Sequence, residues 1–248
     1  MNVLITRAQE DGGGAKTYLA ARGVSVIHIP LIRIEPAFRT PPDGIFDALI
    51  VTSIHGAPYI RNIPGFESVP VYAVGERTAE AVRQIGARFI RIGDGTAASL
   101  VRMILAESTP EKRFLHVTGI DHKSEPGESL IKSGFSYHCW TAYRAAEVKP
   151  APESLRKALK AGNVHVALHY SRRSVILLTQ RVVEEKLLDH LKMLYHVFIS
   201  EDARKGAVWE GTSWLDEKHV FIAEKPEENA MLTACERALA LALKQHNT

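Results

Sequence analysis

The sequence predicts an α/β protein built on doubly wound parallel sheets, and three observations lead there. Short apolar runs rich in β-branched residues recur along all 248 residues, and they are apolar at nearly every position, as strands covered on both faces are. Between them lie stretches with apolar residues three and four apart, the spacing of amphipathic helices. The alternation itself is the pattern of parallel sheets with right-handed crossovers. Thirdly, the chain contains a weak copy of itself.

Taken in order, the strands are predicted at NVLIT (2–6), VSVIHI (24–29), DALIVT (47–52), VYAV (71–74), RFIRI (88–92), FLHVT (114–118), FSYHCWTAY (135–143), VHVALHY (164–170), YHVFI (195–199) and HVFIA (219–223). The helical spacing is clearest in TAEAVRQIGA, TAASLVRMILAES and ENAMLTACERALALALKQ.

The internal copy divides the chain. GVSVIHIPLIRIE (23–35) aligns with GFSYHCWTAYRAA (134–146), placing Gly23 on Gly134, Ser25 on Ser136 and Arg33 on Arg144. DALIVTSIHGA (47–57) aligns with HVALHYSRRSV (165–175), placing Ser53 on Ser171. VYAVGERTAEAV (71–82) matches HVFISEDARKGA (196–207) more loosely. The order is therefore A, B, A′, B′, which permits two sequential domains or an exchanged pair, A with B′ around a nested B with A′. LIRIEPAF (31–38) and TAYRAAEVKP (141–150) are extended, proline-terminated stretches at matching places. If both cross between the same two domains they run side by side as a two-stranded connector.

Composition excludes several functions. With 31 basic against 28 acidic residues the net charge is +3, and no Lys/Arg run exceeds two residues, so the concentrated basic stripe of a nucleic-acid binder is missing. Cys139 and Cys235 are far apart and form no CxxC or CxxH pair, which points to a reducing compartment and no metal site. The eleven histidines show no HExxH spacing. No run approaches the roughly 20 apolar residues of a membrane span, and Met1 leads into NVLIT without the features of a secretory signal. A cytoplasmic protein is expected.

Ligands of open parallel sheets bind beyond the carboxyl ends of the strands, where helix N-termini present backbone N–H groups. Ser53 and Ser171 stand at such ends, either as N-caps alone or as caps that also meet a ligand. Gly75 and Thr78, in VGERTAEAV (74–82), form a tight turn and first helical turn without the spacing of a dinucleotide fingerprint or P-loop. Arg7, Arg172, Arg173, Lys123 and Arg144 stand at or just past predicted strand ends, suited to holding carboxylates. There is no GxSxG elbow.

Together, VLITR, IPLIRIEP, DALIVTSIHGA, VYAVGERTAEAV, GTAASLV, TAYRA, HYSRRSV and HVFIAEKPEENAMLTA resemble, in order and spacing, the uroporphyrinogen-III synthase family. The resemblance implies two doubly wound parallel-sheet domains, flavodoxin- or Rossmann-like, joined by a two-stranded β connector. One would comprise 1–33 with 148–248, the other 37–140, with connector strands at 31–38 and 141–150. It implies a linear tetrapyrrole substrate, hydroxymethylbilane, closed to uroporphyrinogen III with inversion of the fourth ring and loss of water, and no cofactor. A transient contact with the deaminase that makes this substrate goes with it. Its carboxylates would meet Arg7, Ser53, Gly75, Thr78, Ser171, Arg172 and Ser200. Tyr143, in TAYRA, matches the family's candidate catalytic group, the alternative being a structural aromatic. A phenol with pKa about 10 is protonated at neutral pH and suited to donating a hydrogen bond to the departing hydroxyl.

Two segments depart from the family pattern. ISEDARKG carries Ser200 and Ala203 where many members have a glycine and a hydroxyl residue, with Glu201 and Asp202 adding negative charge. VWEGTSW (208–214) reads as a loop with two anchoring tryptophans. The rival functional reading is a two-lobed, non-catalytic binder of an anionic metabolite.

Overall fold

The computed structural model describes residues 1–11, 13–37 and 39–246; Gly12, and Phe38 at the end of the first predicted crossover, lie outside the described residues. In chain order, β1 (Asn2–Ile5), α1 (Gly13–Ala20) and β2 (Ser25–His28) make a βαβ unit, and β3 (Ile32–Pro36) follows. Next come β4 (Ala48–Val51), β5 (Val71–Ala73), α2 (Glu76–Gln84), β6 (Ile90–Ile92) and α3 (Ala97–Glu107). A second βαβ unit consists of β7 (Arg113–Gly119), α4 (Gly127–Lys132) and β8 (Ser136–Glu147). Then follow α5 (Glu153–Lys160), β9 (Val166–His169), α6 (Arg172–Glu184), α7 (Leu188–Lys192), β10 (Tyr195–Phe198) and α8 (Glu201–Arg204). The chain continues through β11 (Val208–Trp209), β12 (Thr212–Ser213), β13 (Val220–Ile222) and α9 (Glu228–His246).

Two compact units result, Met1–Arg33 with Ala146–Thr248, and Ile34–Ala145. In the first, the sheet order is β13-β10-β9-β1-β2, all neighbours parallel. In the second it is β3-β8-β7-β4-β5-β6, with β8, β7, β4, β5 and β6 parallel. Leaving β3 aside, the two orders superimpose strand for strand: β2 on β8, β1 on β7, β9 on β4, β10 on β5 and β13 on β6. Strand pairing thus joins A with B′ and A′ with B. Gly23 and Gly134, matched in the internal copy, both turn the chain into the second strand of a βαβ unit with positive φ, 72° and 83°, a backbone region that favours glycine.

The local reasons are ordinary. β4, read as an uninterrupted apolar run, is buried at all four positions, with Leu49 and Val51 facing one core and Ala48 and Ile50 the other, as period-two alternation requires. α9 lays Met231, Leu232, Cys235, Ala238, Leu239 and Ala242 on the first unit's sheet, the stripe its sequence spacing predicts. β3 and β8 are neighbours: the Ala37 N–H donates to the Ala142 carbonyl, and the Val148 N–H donates to the Leu31 carbonyl, each at 2.9 Å.

The VWEGTSW segment corrects its sequence reading. It is a hairpin, β11 against β12, turned by Glu210 (φ 49°) and Gly211 (φ 79°), the two left-handed residues of a type I′ turn. Only Trp214 anchors it, buried, with its indole N–H donating to Thr179 Oγ1 at 3.0 Å. Trp209 is 37% exposed. No described helix is long and apolar enough to cross a membrane.

Candidate functional site

In the second unit the strand order reverses between β4 and β7, since the strands following β4 lie on one side of it and β7 and β8 on the other. Carboxyl ends that diverge at such a point leave a crevice. A cavity of about 580 Å³ opens there, walled by residues leaving β4 (Thr52, Ser53), residues leaving β7 (Thr118 to Lys123), Thr96 and Tyr143. Ser53 caps the 3-10 helix Ile54–Asn62, accepting from the His55 N–H at 3.3 Å. Thr96 caps α3, accepting from the Ser99 N–H at 3.1 Å. Both hydroxyls therefore serve helix termini, whose remaining N–H groups favour negative charge.

Tyr143 reaches this wall through a bulge. Thr118 of β7 pairs with Thr141 of β8, but the next residue, Gly119, pairs with Tyr143, so Ala142 is extra. Residues three apart on a regular strand face opposite sides; the slip turns Tyr143 onto the face already occupied by Trp140. Tyr59 then packs against both, edge-on to Trp140 at 6.3 Å and stacked on Tyr143 at 5.8 Å. The His55 ring stands edge-on to Tyr143 at 6.0 Å. The phenol is thus oriented by aromatic packing and 8% exposed, at the cavity wall.

Two histidines of the wall were not read as site residues from the sequence, where His116 counted as a structural imidazole within a strand. His116 is buried on β7, hydrogen-bonded to Thr52 Oγ1 at 2.8 Å and the Tyr137 hydroxyl at 2.7 Å. Burial, with a smaller contribution from His122, lowers its pKa to about 3, so it is neutral. His122 bonds to the Gly119 carbonyl through Nδ1 at 2.9 Å. Thr52 was legible as the neighbour of Ser53; the TGIDHK loop was not, because the sequence does not say that FLHVT lies beside DALIVT. Lys123 lines the cavity, whereas Arg144 is paired with Glu35 at 2.9 Å.

Gly75 and Thr78 line a second hollow of about 440 Å³ at the start of α2, which shares Val74 and Gly95 with the cavity of Tyr143. Gly75 is the N-cap and offers no side-chain acceptor, so the first N–H groups of α2 have no capping side chain from it. A Cβ at Gly75 would lie 3.3 Å from Gly95 Cα. Thr78 is buried, 5% exposed.

The first unit has its own reversal, between β1 and β9. Arg7, after β1, lays its guanidinium 4.1 Å from the Tyr170 ring centre and pairs with Asp11 at 3.5 Å and Glu228 at 3.4 Å. Ser171 caps α6, accepting from the Ser174 N–H at 3.2 Å. Arg172 pairs with the Asp202 carboxylate and donates to its carbonyl at 3.2 Å. Ser200 caps the short α8 through the Ala203 N–H at 3.3 Å. Arg7, Ser171, Arg172 and Ser200 thus belong to one unit, and Ser53, Gly75, Thr78 and Tyr143 to the other. Among the described residues, no three His, Cys, Asp or Glu side chains are grouped to hold a metal ion.

These features define a doubly wound α/β protein of two units with a polar small-molecule cavity at a strand-order reversal. The family model for uroporphyrinogen-III synthase HemD matches residues 14–233. The chain belongs to the uroporphyrinogen-III synthase HemD family, and with it to the cyclases of haem and tetrapyrrole biosynthesis. Comparison with curated proteins gives no match. Among solved structures, the uroporphyrinogen-III synthetase of Helicobacter pylori is similar with a TM-score of 0.64 at 14% identity, over 97% of this chain and 99% of that one. A mutant uroporphyrinogen III synthase of the extremely thermophilic bacterium Thermus thermophilus aligns at 17% identity over 97% and 99% of the two chains, with a TM-score of 0.49.

Proposed function

We propose that the protein closes hydroxymethylbilane to uroporphyrinogen III, inverting the fourth ring and losing water, as a hydro-lyase that needs no cofactor. The observation that carries the site is the second unit's cavity, where the packed ring of Tyr143 shares the wall with Ser53 and Thr96, each at a helix N-terminus suited to carboxylates. In this reading the Tyr143 O–H donates to the hydroxyl leaving the terminal ring, assisting formation of an azafulvenium cation. The fourth ring attacks through its substituted carbon, and the spiro intermediate fragments and recloses. Acid assistance of this kind is typically worth about 10²–10⁴-fold, and the rest of the task is holding the bilane so that inverted closure outruns direct closure.

Substrate carboxylates are assigned to Ser53, Gly75 and Thr78 in one unit and to Arg7, Ser171, Arg172 and Ser200 in the other. Thr78 contributes its backbone N–H, because its side chain is buried. A transient contact with the supplying deaminase, and a cytoplasmic location consistent with two free thiols, complete the reading. The test starts from porphobilinogen and its deaminase, adds this protein, and separates the oxidised porphyrin isomers. Type III should dominate; a persistent excess of type I rejects the reading.

A further inference from the structure

We infer that Thr52 is a substrate-binding residue whose hydroxyl hydrogen is aimed into the second unit's cavity by a buried relay, Tyr137 to His116 to Thr52, and so selects an acceptor-only group such as a carboxylate. This rests on the proposed function for the identity of the substrate, though the relay's direction does not.

The direction follows from counting protons. Neutral His116 has one N–H and one bare nitrogen, and its two neighbours are both hydroxyls. Burial raises the pKa of Tyr137, so it holds its proton. Its oxygen lies 2.7 Å from His116 Nδ1, and its other partner is the Cys139 sulfur, a weak acceptor. The phenol therefore donates to Nδ1.

His116 then carries its proton on Nε2 and donates to Thr52 Oγ1 at 2.8 Å. With that lone pair occupied by an incoming donor, the Thr52 hydrogen points elsewhere, and Thr52 lines the cavity. The neighbouring branch gives Cys139 a partner of its own. His122 donates through Nδ1 to the Gly119 carbonyl, leaving Nε2 to accept from the Cys139 thiol at 3.7 Å.

Packing holds the relay in place. His116 is 1% exposed, and a Cβ at Gly127 would lie 2.6 Å from the Tyr137 ring, so the phenol passes close over α4's first residue. Ionised carboxylates accept and never donate; a hydroxyl fixed as a donor favours them over amides or alcohols, which offer acceptor and donor alike.

Two measurements test this. Nitrogen-15 NMR of the substrate-free protein should show His116 as the Nε2–H tautomer; the Nδ1–H tautomer would reverse the relay and overturn the inference, whatever the substrate. In the coupled assay, Thr52→Val should raise KM about tenfold, the loss expected for a charge-assisted hydrogen bond, with kcat within about twofold, and Thr52→Ser should restore KM. His116→Gln keeps an acceptor for Tyr137 and a donor for Thr52 and should stay near wild type, while His116→Phe should raise KM as Thr52→Val does, with no further rise in the double variant. A folded Thr52→Val protein with unchanged KM overturns the inference, as does an additive double variant. If the wild type makes no type III isomer, the functional reading fails on its own account.

Discussion

The ring of Tyr143 occupies the space a side chain at residue 119 would need: a Cβ at Gly119 would sit 2.8 Å from Tyr143 Cε2 and 3.2 Å from Cζ. The two residues are paired across β7 and β8 at the bulge, so the close approach is set by backbone register. Gly119→Ala must displace the phenol from its place on Tyr59 or move the strand, an overpacking cost of about 1–3 kcal/mol. If the position of the phenol matters to turnover, the variant should lose kcat in part, with Tyr143→Phe losing more, about 100-fold, at little cost in stability. Steady-state kinetics alongside thermal melts check this. Full kcat in a Gly119→Ala protein of reduced stability would show that ring placement is immaterial.

His116 also makes stability depend on pH. Its folded pKa is lowered to about 3, first by burial, while an unfolded histidine titrates near 6.5. Below pH 6.5 the unfolded chain takes up a proton that the folded one refuses. Stability is therefore full above 6.5 and falls as pH drops toward 3, by about 1.4 kcal/mol per pH unit for this group. His169 and His196, buried and hydrogen-bonded to each other at 3.0 Å, are depressed mainly by burial and act in the same direction. Urea titrations between pH 6 and 4 should show a steeper loss in the wild type than in His116→Gln, by about that slope. Equal slopes would mean that His116 is protonated in the native state.

How much of this was legible depends on what kind of pattern the residues obey. DALIVT announced β4 because a strand covered on both faces is apolar throughout, and the two serines announced N-caps because each stands between such a run and a helix. The position of Tyr143 was not legible in the same sense: TAYRA marks an extended segment, but the slip at Ala142 that decides which face the phenol takes arises from pairing with Gly119. Arg172 looked like a free cation at a strand end, since its partner, Asp202, is thirty residues further on. The hairpin at Glu210 and Gly211 was hidden because Glu-Gly is a poor signal for a turn that asks two consecutive residues for positive φ. His116 and His122 sat in plain view within FLHVTGIDHK, yet only the strand order, which no local pattern encodes, brings them beside Thr52.

Arg181 is a second buried polar group that no local pattern indicated. It is 4% exposed, bonded to both Glu184 carboxylate oxygens at 2.9 Å, to Glu147 at 3.3 Å and to the Val148 carbonyl at 3.4 Å. It thus ties the end of β8 to α6. Lysine carries one compact charge and cannot reproduce the fork, so Arg181→Lys should cost roughly 1–3 kcal/mol. Arg181→Met, which fills much of the volume without a charge to bury, should cost less than Arg181→Ala. Chemical denaturation gives the order. Lysine matching arginine would reduce the network to a single ion pair.

Ser171 allows capping and substrate contact to be measured apart. Its Oγ accepts from the Ser174 N–H, and replacing an N-cap serine by alanine costs about 1 kcal/mol, by glycine only a few tenths. The two variants therefore differ in stability while both lack the hydroxyl. If that hydroxyl also meets a substrate carboxylate, KM should rise several-fold in both, equally, with the melting temperature lowered chiefly in Ser171→Ala. A KM that follows the melting temperature, rising in the alanine variant and unmoved in the glycine one, would confine Ser171 to holding the start of α6, and substrate contact at this strand end would then fall to the backbone N–H groups that the cap leaves open.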